Sequence, residues 1–210
     1  LIQIDGRLLL IGVVLLGLCS CADSRREQPV VLDGRIDLSD WNFDTDGIVE
    51  LKGSWRFAWD VFVEPLPGDV IRQRIKQTIE VPAGIWHTQP HPDKPGEFLP
   101  GQGHGTYLLE VLLPTMVSGQ ELALSGRNQG GAVRWFVLDA SDAEILATGS
   151  QGKPAEQFDD AIHVQFRPLI DFRPEQANRI LLLAHMSNHD WARGGIWLTP
   201  HLATEDQLRR

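Results

Sequence analysis

The residues best suited to recognition chemistry lie in one short segment near the end of the chain. Between two apolar runs, residues 188–193 place an amide, an imidazole, an indole and a guanidinium on Asn188, His189, Trp191 and Arg193. An indole face packs on the C–H surface of a sugar ring, and the planar polar groups hydrogen-bond to hydroxyls. These four residues predict a site for a carbohydrate or another small polyhydroxylated ligand.

Two turn segments carry similar side chains. Trp86 and His87 follow a proline-glycine turn, and Arg127 and Asn128 lie in the polar loop 125–131 between two apolar runs. We include all four in the predicted ligand site. The alternative for Trp86 is a place in the core, because aromatic residues commonly fill the space between two packed sheets.

Catalytic motifs are missing from the sequence. It contains no Walker loop, no GxSxG and no HExxH, and both cysteines, Cys19 and Cys21, lie in the N-terminal segment. The glycine-rich stretch 100–105 leads into an apolar run typical of a strand, not into a helix whose N-terminus could hold a phosphate. We therefore expect that this chain is not itself an enzyme.

Histidine spacing gives little support to a metal site. His87 and His91 are four residues apart in a loop, and His185 and His189 are four apart where a strand ends. A spacing of four unites side chains on a helix but not on a strand or loop, so we predict no metal and no cofactor. The alternative is calcium, which prefers hard oxygen ligands, at the acidic residues Asp40, Asp44, Asp46 and Glu50.

Charge and composition narrow the class of partner. The formal net charge of −9 repels phosphate backbones, so nucleic acid is not expected as a partner. With 42% hydrophobic and 22% charged residues the composition is that of an ordinary globular protein. The expected partners are a small-molecule or carbohydrate ligand, and a membrane reached through an anchor.

Strand patterns dominate the body of the chain. In residues 53–60, Trp55, Phe57 and Trp59 alternate with other residues at the period of two that a strand requires. Further runs typical of strands lie at 77–81, 105–114, 121–125, 132–139, 144–149, 161–166, 179–187 and 195–202. Short strands separated by turns, without a βαβ rhythm, predict an all-β antiparallel sandwich of the jelly-roll type.

Helical signals are confined to two places. Pro65 and Pro67 limit any helix in residues 60–76 to the second half, where it would cover a sheet. Thr204 and Gln207 match a capping box, which predicts the start of a helix. Since the sequence stops about one turn later, we expect that the native chain continues.

The N-terminus has the features of an export signal. The apolar run from Leu8 to Leu18 is shorter than the roughly 20 residues of a membrane-spanning helix and fits a signal-peptide core. The stretch 18–21 resembles a bacterial lipobox, in which Cys21, or alternatively Cys19, would be acylated. An ordinary cleavage site or an uncleaved anchor is the alternative. In each case we expect the body to lie outside the cytoplasm. We expect it to associate with the membrane through an N-terminal anchor or through C-terminal spans missing from this sequence.

The predicted organisation has four parts. They are a signal peptide or lipoprotein signal at 1–21, a tether at 22–33, a β-sandwich sensor or binding domain at 34–203, and a helix start at 204–210.

Taken in order, the segments 36–65, 81–87, 103–114 and 180–197 resemble a known family. They carry Gly-Ser-Trp, Pro-x-x-x-Trp, Gly-x-Gly-x-Tyr and Asn…Gly-Gly-x-Trp in the order found in the extracytoplasmic N-terminal domain of bacterial seven-transmembrane receptors with diverse intracellular signalling modules. The resemblance covers roughly residues 30–205. It implies a galactose-binding-like jelly roll, a sensor role with a carbohydrate-like ligand, and a kinase or cyclase output outside this chain.

Two alternatives to the sensor stay open. Sugar-binding jelly rolls of glycosidases share several of these motifs, so the chain is also interpretable as an accessory carbohydrate-binding domain of an exported glycoside hydrolase. The lipobox-like stretch and the absence of seven apolar spans depart from the receptor pattern. A free-standing lipoprotein is therefore the second alternative.

Overall fold

The computed structural model describes residues 26–117, 120–174 and 177–210. The predicted signal segment 1–21, with Cys19 and Cys21, and the first part of the predicted tether lie outside the described residues. Within the described ranges, no helix combines the length and the apolar character needed to cross a membrane.

The described residues form mainly β-strands. The strands are β1 (Arg35–Asp37), β2 (Val49–Glu50), β3 (Gly53–Trp59), β4 (Gln77–Val81), β5 (Gly103–Leu112), β6 (Leu122–Ser125), β7 (Ala132–Asp139), β8 (Ile145–Gln151), β9 (Leu169–Phe172), β10 (Arg179–Asn188) and β11 (His201–Thr204). The helices are α1 (Phe43–Asp46), α2 (Gly68–Arg74) and α3 (Glu205–Arg209).

Two sheets face each other across one core. The larger sheet has the order β4-β3-β5-β10-β7-β8, with β1 added in parallel beside the end of β5, and the smaller has the order β2-β11-β6-β9. All other pairings are antiparallel, and β5 and β10 pair over their full length. This arrangement confirms the predicted antiparallel β-sandwich.

Buried and less buried side chains alternate along β3, as predicted. Trp55 and Phe57 are buried between the sheets, and the Trp55 ring meets the Trp135 ring edge-to-face at 6.3 Å. The indole N–H of Trp55 donates to the carbonyl oxygen of Leu51 over 2.9 Å, so the ring is buried without an unpaired polar atom.

The outer face of the larger sheet is partly covered by α2, as the proline positions predict. Ile71 and Ile75 pack there against Leu108, Leu181 and Leu183. The other predicted helix is α3, where the backbone N–H of Thr204 donates to Oε1 of Gln207 over 3.2 Å. Both helices therefore begin where local sequence signals place them.

Two strand predictions are wrong. In residues 161–166 only Ile162 pairs, through an isolated bridge to Lys153, and no second layer covers the apolar side chains. Residues 195–200 form no strand because Oε1 of Gln129 accepts the backbone N–H groups of Trp197, over 2.8 Å, and Leu198, over 3.2 Å. The Gln129 side chain thus accepts hydrogen bonds that a neighbouring strand would otherwise accept.

Three connections leave the same end of the sandwich. The pairings Asn188↔Gly103, Ser187↔Ala132, Val133↔Gln151 and His201↔Ser125 put these strand termini side by side. We call this end, with its loops 126–131, 152–168 and 189–200, the loop end. Residues 152–168, which connect β8 to β9, are called the arm.

Candidate ligand-binding site

A pocket of about 240 Å³ opens at the loop end. Its floor is formed where β7 begins and β10 ends, and includes Ala132 and Ser187. The arm supplies one wall, and the start of the loop 189–200 supplies the other. The side chains that line these walls include Phe158, Asp159 and His163 on the arm and His189 and Asp190 on the loop.

Hydrogen bonds fold the arm on itself and hold it against the end of β10. Lys153 and Ile162 exchange two backbone hydrogen bonds of 2.8 and 2.9 Å. The backbone N–H of Ala155 donates to Oγ of Ser187 over 3.2 Å, and Nε2 of His189 lies 2.9 Å from the Ala155 carbonyl oxygen. Because a carbonyl only accepts, Nε2 of His189 carries the proton, which leaves Nδ1 of the neutral ring as an acceptor.

Asn188 lines the pocket, and its side chain shapes the loop that follows. Its side chain is 2% exposed, and its Nδ2 donates to the carbonyl oxygens of Gly101 over 2.7 Å and of Trp191 over 2.8 Å. Its Oδ1 accepts the backbone N–H of Trp191 over 3.1 Å. Both polar groups of the side chain therefore help to hold the turn that presents Trp191, and a direct contact between Asn188 and a ligand stays a prediction.

Two aromatic side chains stand exposed beside the pocket. Trp191 is 45% exposed, and its ring is perpendicular to that of His163, with centroids 6.1 Å apart. Phe158 is 61% exposed and lies edge-on to His189 at 6.4 Å. The rim thus combines apolar ring surface with imidazole and carboxylate groups.

Trp86 belongs to the core, which corrects its assignment to the ligand site. The side chain is fully buried, and its indole N–H donates to the hydroxyl of Tyr107 over 2.8 Å. The Trp86 ring meets that of Trp59 edge-to-face at 5.0 Å. Burial raises the pKa of Tyr107 far above its usual value, so its hydroxyl stays protonated.

The other predicted residues lie outside the pocket lining. His87 is exposed in a 3₁₀ turn over Trp86–Thr88, and Arg193 is exposed in the loop 189–200. Arg127 lies close enough to His201 for its charge to act on that residue, because burial and then the charge of Arg127 lower the pKa of His201. Asn128 is exposed beside Arg127 in the chain. Of the eight predicted residues, the structure brings together Asn188, His189 and Trp191 around the pocket.

Solved structures show a fold similar to this one. A family 2 glycosyl hydrolase from Bacteroides cellulosilyticus matches with a TM-score of 0.51 and 12% identity, over 74% of this chain and 20% of that chain. A β-glucuronidase from Bacteroides uniformis matches with a TM-score of 0.49 and 14% identity, over 74% and 17%. A β-galacturonidase from Eisenbergiella tayi, bound to galacturonate, matches with a TM-score of 0.44 and 14% identity, over 74% and 24%.

The match with the family 2 glycosyl hydrolase supports the β-sandwich fold. The chain spans about a fifth of the length of the hydrolase chains that it matches. No protein-family model matches the sequence, and no curated protein matches it. Membership of the seven-transmembrane receptor family therefore stays a prediction.

Sequence reasoning missed the contribution of the arm. His163 and Phe158 line the pocket, but residues 161–166 carry the alternation of a strand, and Asp159 lies in an acidic pair of a kind that is usually solvated. The signal available in the sequence was His163, which lies between two apolar residues in a region rich in turn-forming residues. Gln129 was also missed, although it holds the loops 126–131 and 189–200 together.

The acidic segment considered for calcium is engaged within the fold. Asp46 accepts the backbone N–H of Asn42 over 2.9 Å, and this bond, followed by the contact with Arg26, lowers the pKa of its carboxyl. In the ranges 26–117, 120–174 and 177–210, no three histidine, cysteine or acidic side chains gather as ligands of one ion.

Proposed function

We propose that this domain is a non-catalytic carbohydrate-binding module that holds a neutral saccharide in the loop-end pocket. The observation that carries the proposal is His163. Its Nδ1 lies 3.4 Å from the indole nitrogen of Trp191, which can only donate, so Nε2 carries the ring proton. Nε2 is buried and has no hydrogen-bond partner among the residues that the structure describes.

A buried donor without a partner is costly, and a ligand that supplies an acceptor removes that cost once the arm moves enough for the ligand to reach Nε2. Sugar hydroxyls are suitable acceptors, and they also donate to carboxylates such as those of Asp159 and Asp190. The exposed rings of Trp191 and Phe158 offer the flat apolar surfaces that sugar C–H groups contact. The two carboxylates in the lining disfavour an anionic ligand in this pocket.

The pocket volume favours a small ligand. At about 240 Å³ it lies below the range of about 300–1,000 Å³ of pockets for drug-sized ligands. A single sugar unit, or the end of a longer saccharide, is the ligand that we propose.

We propose that the module serves an exported glycoside hydrolase as an accessory domain. The similarity of fold to a fifth of a family 2 glycosyl hydrolase chain supports this setting. A second candidate is the sensor domain of a seven-transmembrane receptor, which the ordered motifs in segments 36–65, 81–87, 103–114 and 180–197 favour. Export is part of both proposals. The third setting is a free-standing lipoprotein attached to a membrane through Cys21.

Titration calorimetry of the purified 210-residue chain with neutral mono- and oligosaccharides tests the binding proposal. Loss of one aromatic contact costs about 0.5–1.5 kcal/mol beyond buried area, so Trp191→Ala should weaken binding about tenfold. His163→Ala should weaken it similarly, because the unpaired donor is lost. Phe98→Ala is the matched control, since Phe98 is an exposed aromatic outside the pocket lining.

Equal saccharide affinity of the parent chain and Trp191→Ala would contradict the proposed site. The gene sequence beyond codon 210 distinguishes the hydrolase, the receptor and the free-standing lipoprotein. A hydrolase catalytic domain supports the first, seven apolar segments of about 20 residues each support the second, and a stop codon supports the third.

A further inference from the structure

A second pocket lies on the outer face of the larger sheet, between Phe62 and the root of the arm. Its volume is about 520 Å³. Three side chains on its floor stand in one row across neighbouring strands, because His185 of β10 is opposite Arg134 of β7, and Arg134 is opposite Ser150 of β8. Lys153 lines the pocket from the first residues of the arm.

The pocket has a local excess of positive charge on a chain whose net charge is −9. Arg134 and Lys153 are both exposed, and neither forms an ion pair with a carboxylate in the part of the chain that the structure describes. The Arg134 guanidinium lies 4.9 Å from the centroid of the Phe136 ring, which holds it on the sheet. Glu64 opposes this charge, since its field reaches His185, but a single carboxylate does not balance two cations.

His185 adds an acceptor to the pocket. Its side chain is 8% exposed, and its Nε2 lies 2.9 Å from the carbonyl oxygen of Val63, so Nε2 carries the proton. Burial holds the pKa of His185 below its usual value, and the ring is neutral at pH 7. Nδ1 is then free to accept a hydrogen bond, because no donor in the described ranges is bonded to it.

Apolar and hydroxyl surface completes the lining. The half-buried ring of Phe62 stacks on that of His185, with centroids 4.9 Å apart and 27° between the planes. On β8, Thr148 and Ser150 present exposed hydroxyls on the same face of the strand. These groups match the ring and the hydroxyls of a sugar, while the two cations match an acidic substituent.

We propose that this pocket is a second binding site, for a monosaccharide that carries an acidic group such as a carboxylate or a phosphate. Arg134 and Lys153 bind the oxyanion, and Thr148, Ser150 and His185 bind ring hydroxyls. The site is independent of the loop-end pocket, from which it is separated by the bond between Ala155 and Ser187. The two pockets differ in charge, because carboxylates line the first and cations line the second.

Calorimetry with four probes tests this proposal: glucuronate, glucose 6-phosphate, glucose and inorganic phosphate, at low ionic strength. A charge-assisted hydrogen bond contributes about 1.5–3 kcal/mol, so Arg134→Gln and Lys153→Gln should each weaken the binding of glucuronate at least tenfold. Lys76→Gln is the matched control, because Lys76 is an exposed cation that precedes β4 at the opposite edge of the sheet from β8. Added salt should weaken binding, as for other exposed charges.

The comparison of probes separates the outcomes. Glucuronate or glucose 6-phosphate binding more tightly than both glucose and phosphate supports the site. In the Trp191→Ala variant, whose loop-end pocket is weakened, glucose binding as tightly as glucuronate would overturn it, and so would phosphate binding as tightly as glucose 6-phosphate. Trp191→Ala should leave glucuronate binding unchanged, so failure at either pocket is distinguishable from failure at the other.

Discussion

The hydroxyl of Tyr107 accepts the indole N–H of Trp86 over 2.8 Å, and neither side chain is exposed to solvent. Tyr107 lies on the central strand β5, and Trp86 lies in the long connection between β4 and β5. The backbone N–H of Trp86 also donates to the carbonyl oxygen of Gly194 over 3.0 Å. One tryptophan therefore ties two connections to the core, which explains why an aromatic residue next to a turn is fully buried.

Tyr107→Phe should destabilise the fold by about 1–3 kcal/mol, because it leaves the buried N–H of Trp86 without an acceptor. Urea denaturation followed by tryptophan fluorescence measures the change. Adding Trp86→Phe to Tyr107→Phe removes the unpaired donor as well, so the two substitutions should not be additive. A Tyr107→Phe variant as stable as the parent chain would contradict the importance of this bond.

Gln129→Leu should cost about 2–3 kcal/mol, because it leaves buried backbone groups of two loops unpaired. Gln129 is 2% exposed, and its Nε2 donates to the carbonyl oxygens of Gly126 over 2.8 Å and of Leu198 over 2.9 Å. The neighbouring Asn128 is exposed, so Asn128→Leu is the matched control and should change stability by less than about 0.5 kcal/mol. Equal unfolding midpoints for the two variants would show that Gln129 does not hold these loops.

Glu110→Gln should also destabilise the fold. The carboxylate is buried on β5 and forms ion pairs with Arg72, with Arg35 at 3.0 Å and with Arg179 at 3.4 Å. Removing one member of a buried pair costs about 3–5 kcal/mol, and partial exposure of the arginines reduces our expectation to about 1–3 kcal/mol. Glu121→Gln is the control, because its ion pair with Arg173 is exposed and should contribute less than about 1 kcal/mol.

Stability should fall as the pH is lowered below about 6.5. The folded state lowers the pKa of His185, chiefly through burial, and that of His201 in the same direction. The unfolded chain therefore binds protons first, so these residues contribute fully above the unfolded pKa and the contribution is lost as the pH falls. The slope is at most about 1.4 kcal/mol per pH unit for each histidine.

Urea denaturation between pH 7.5 and 5.5 measures this slope. His185→Gln should make it shallower, while His87→Gln, which removes an exposed histidine, serves as the control. A slope that does not change in His185→Gln would show that another group is responsible.

The fold was predictable where a strand has a clear period and pairs with at least one neighbouring strand. The strands at 77–81 and 132–139 have the predicted bounds, since apolar alternation and sheet pairing agree there. Residues 161–166 have the same alternation but pair with no sheet, so the period of two alone led to a wrong strand prediction. The two- and three-residue strands β2 and β1 are too short to show any period.

The site was predictable only in its loop 189–200. A polar cluster directly after a strand located His189 and Trp191, because such loops remain on the surface. The opposite wall, with His163, depends on how the arm folds back on Lys153 and Ser187. That contact joins residues far apart in sequence, and no local pattern encodes it.

The arm is attached far more weakly than the strands beneath it. Isolated hydrogen bonds join it to the sheet, such as those of Ala155 with Ser187 and His189, whereas β5 and β10 pair with each other along ten residues and each pairs with further strands. Amide hydrogens in the arm should exchange with deuterium through small local openings, while those at the centre of β5 and β10 exchange only when the whole domain unfolds. We therefore expect one wall of the loop-end pocket to open and close many times in the lifetime of a folded molecule, while the floor of the pocket stays in place.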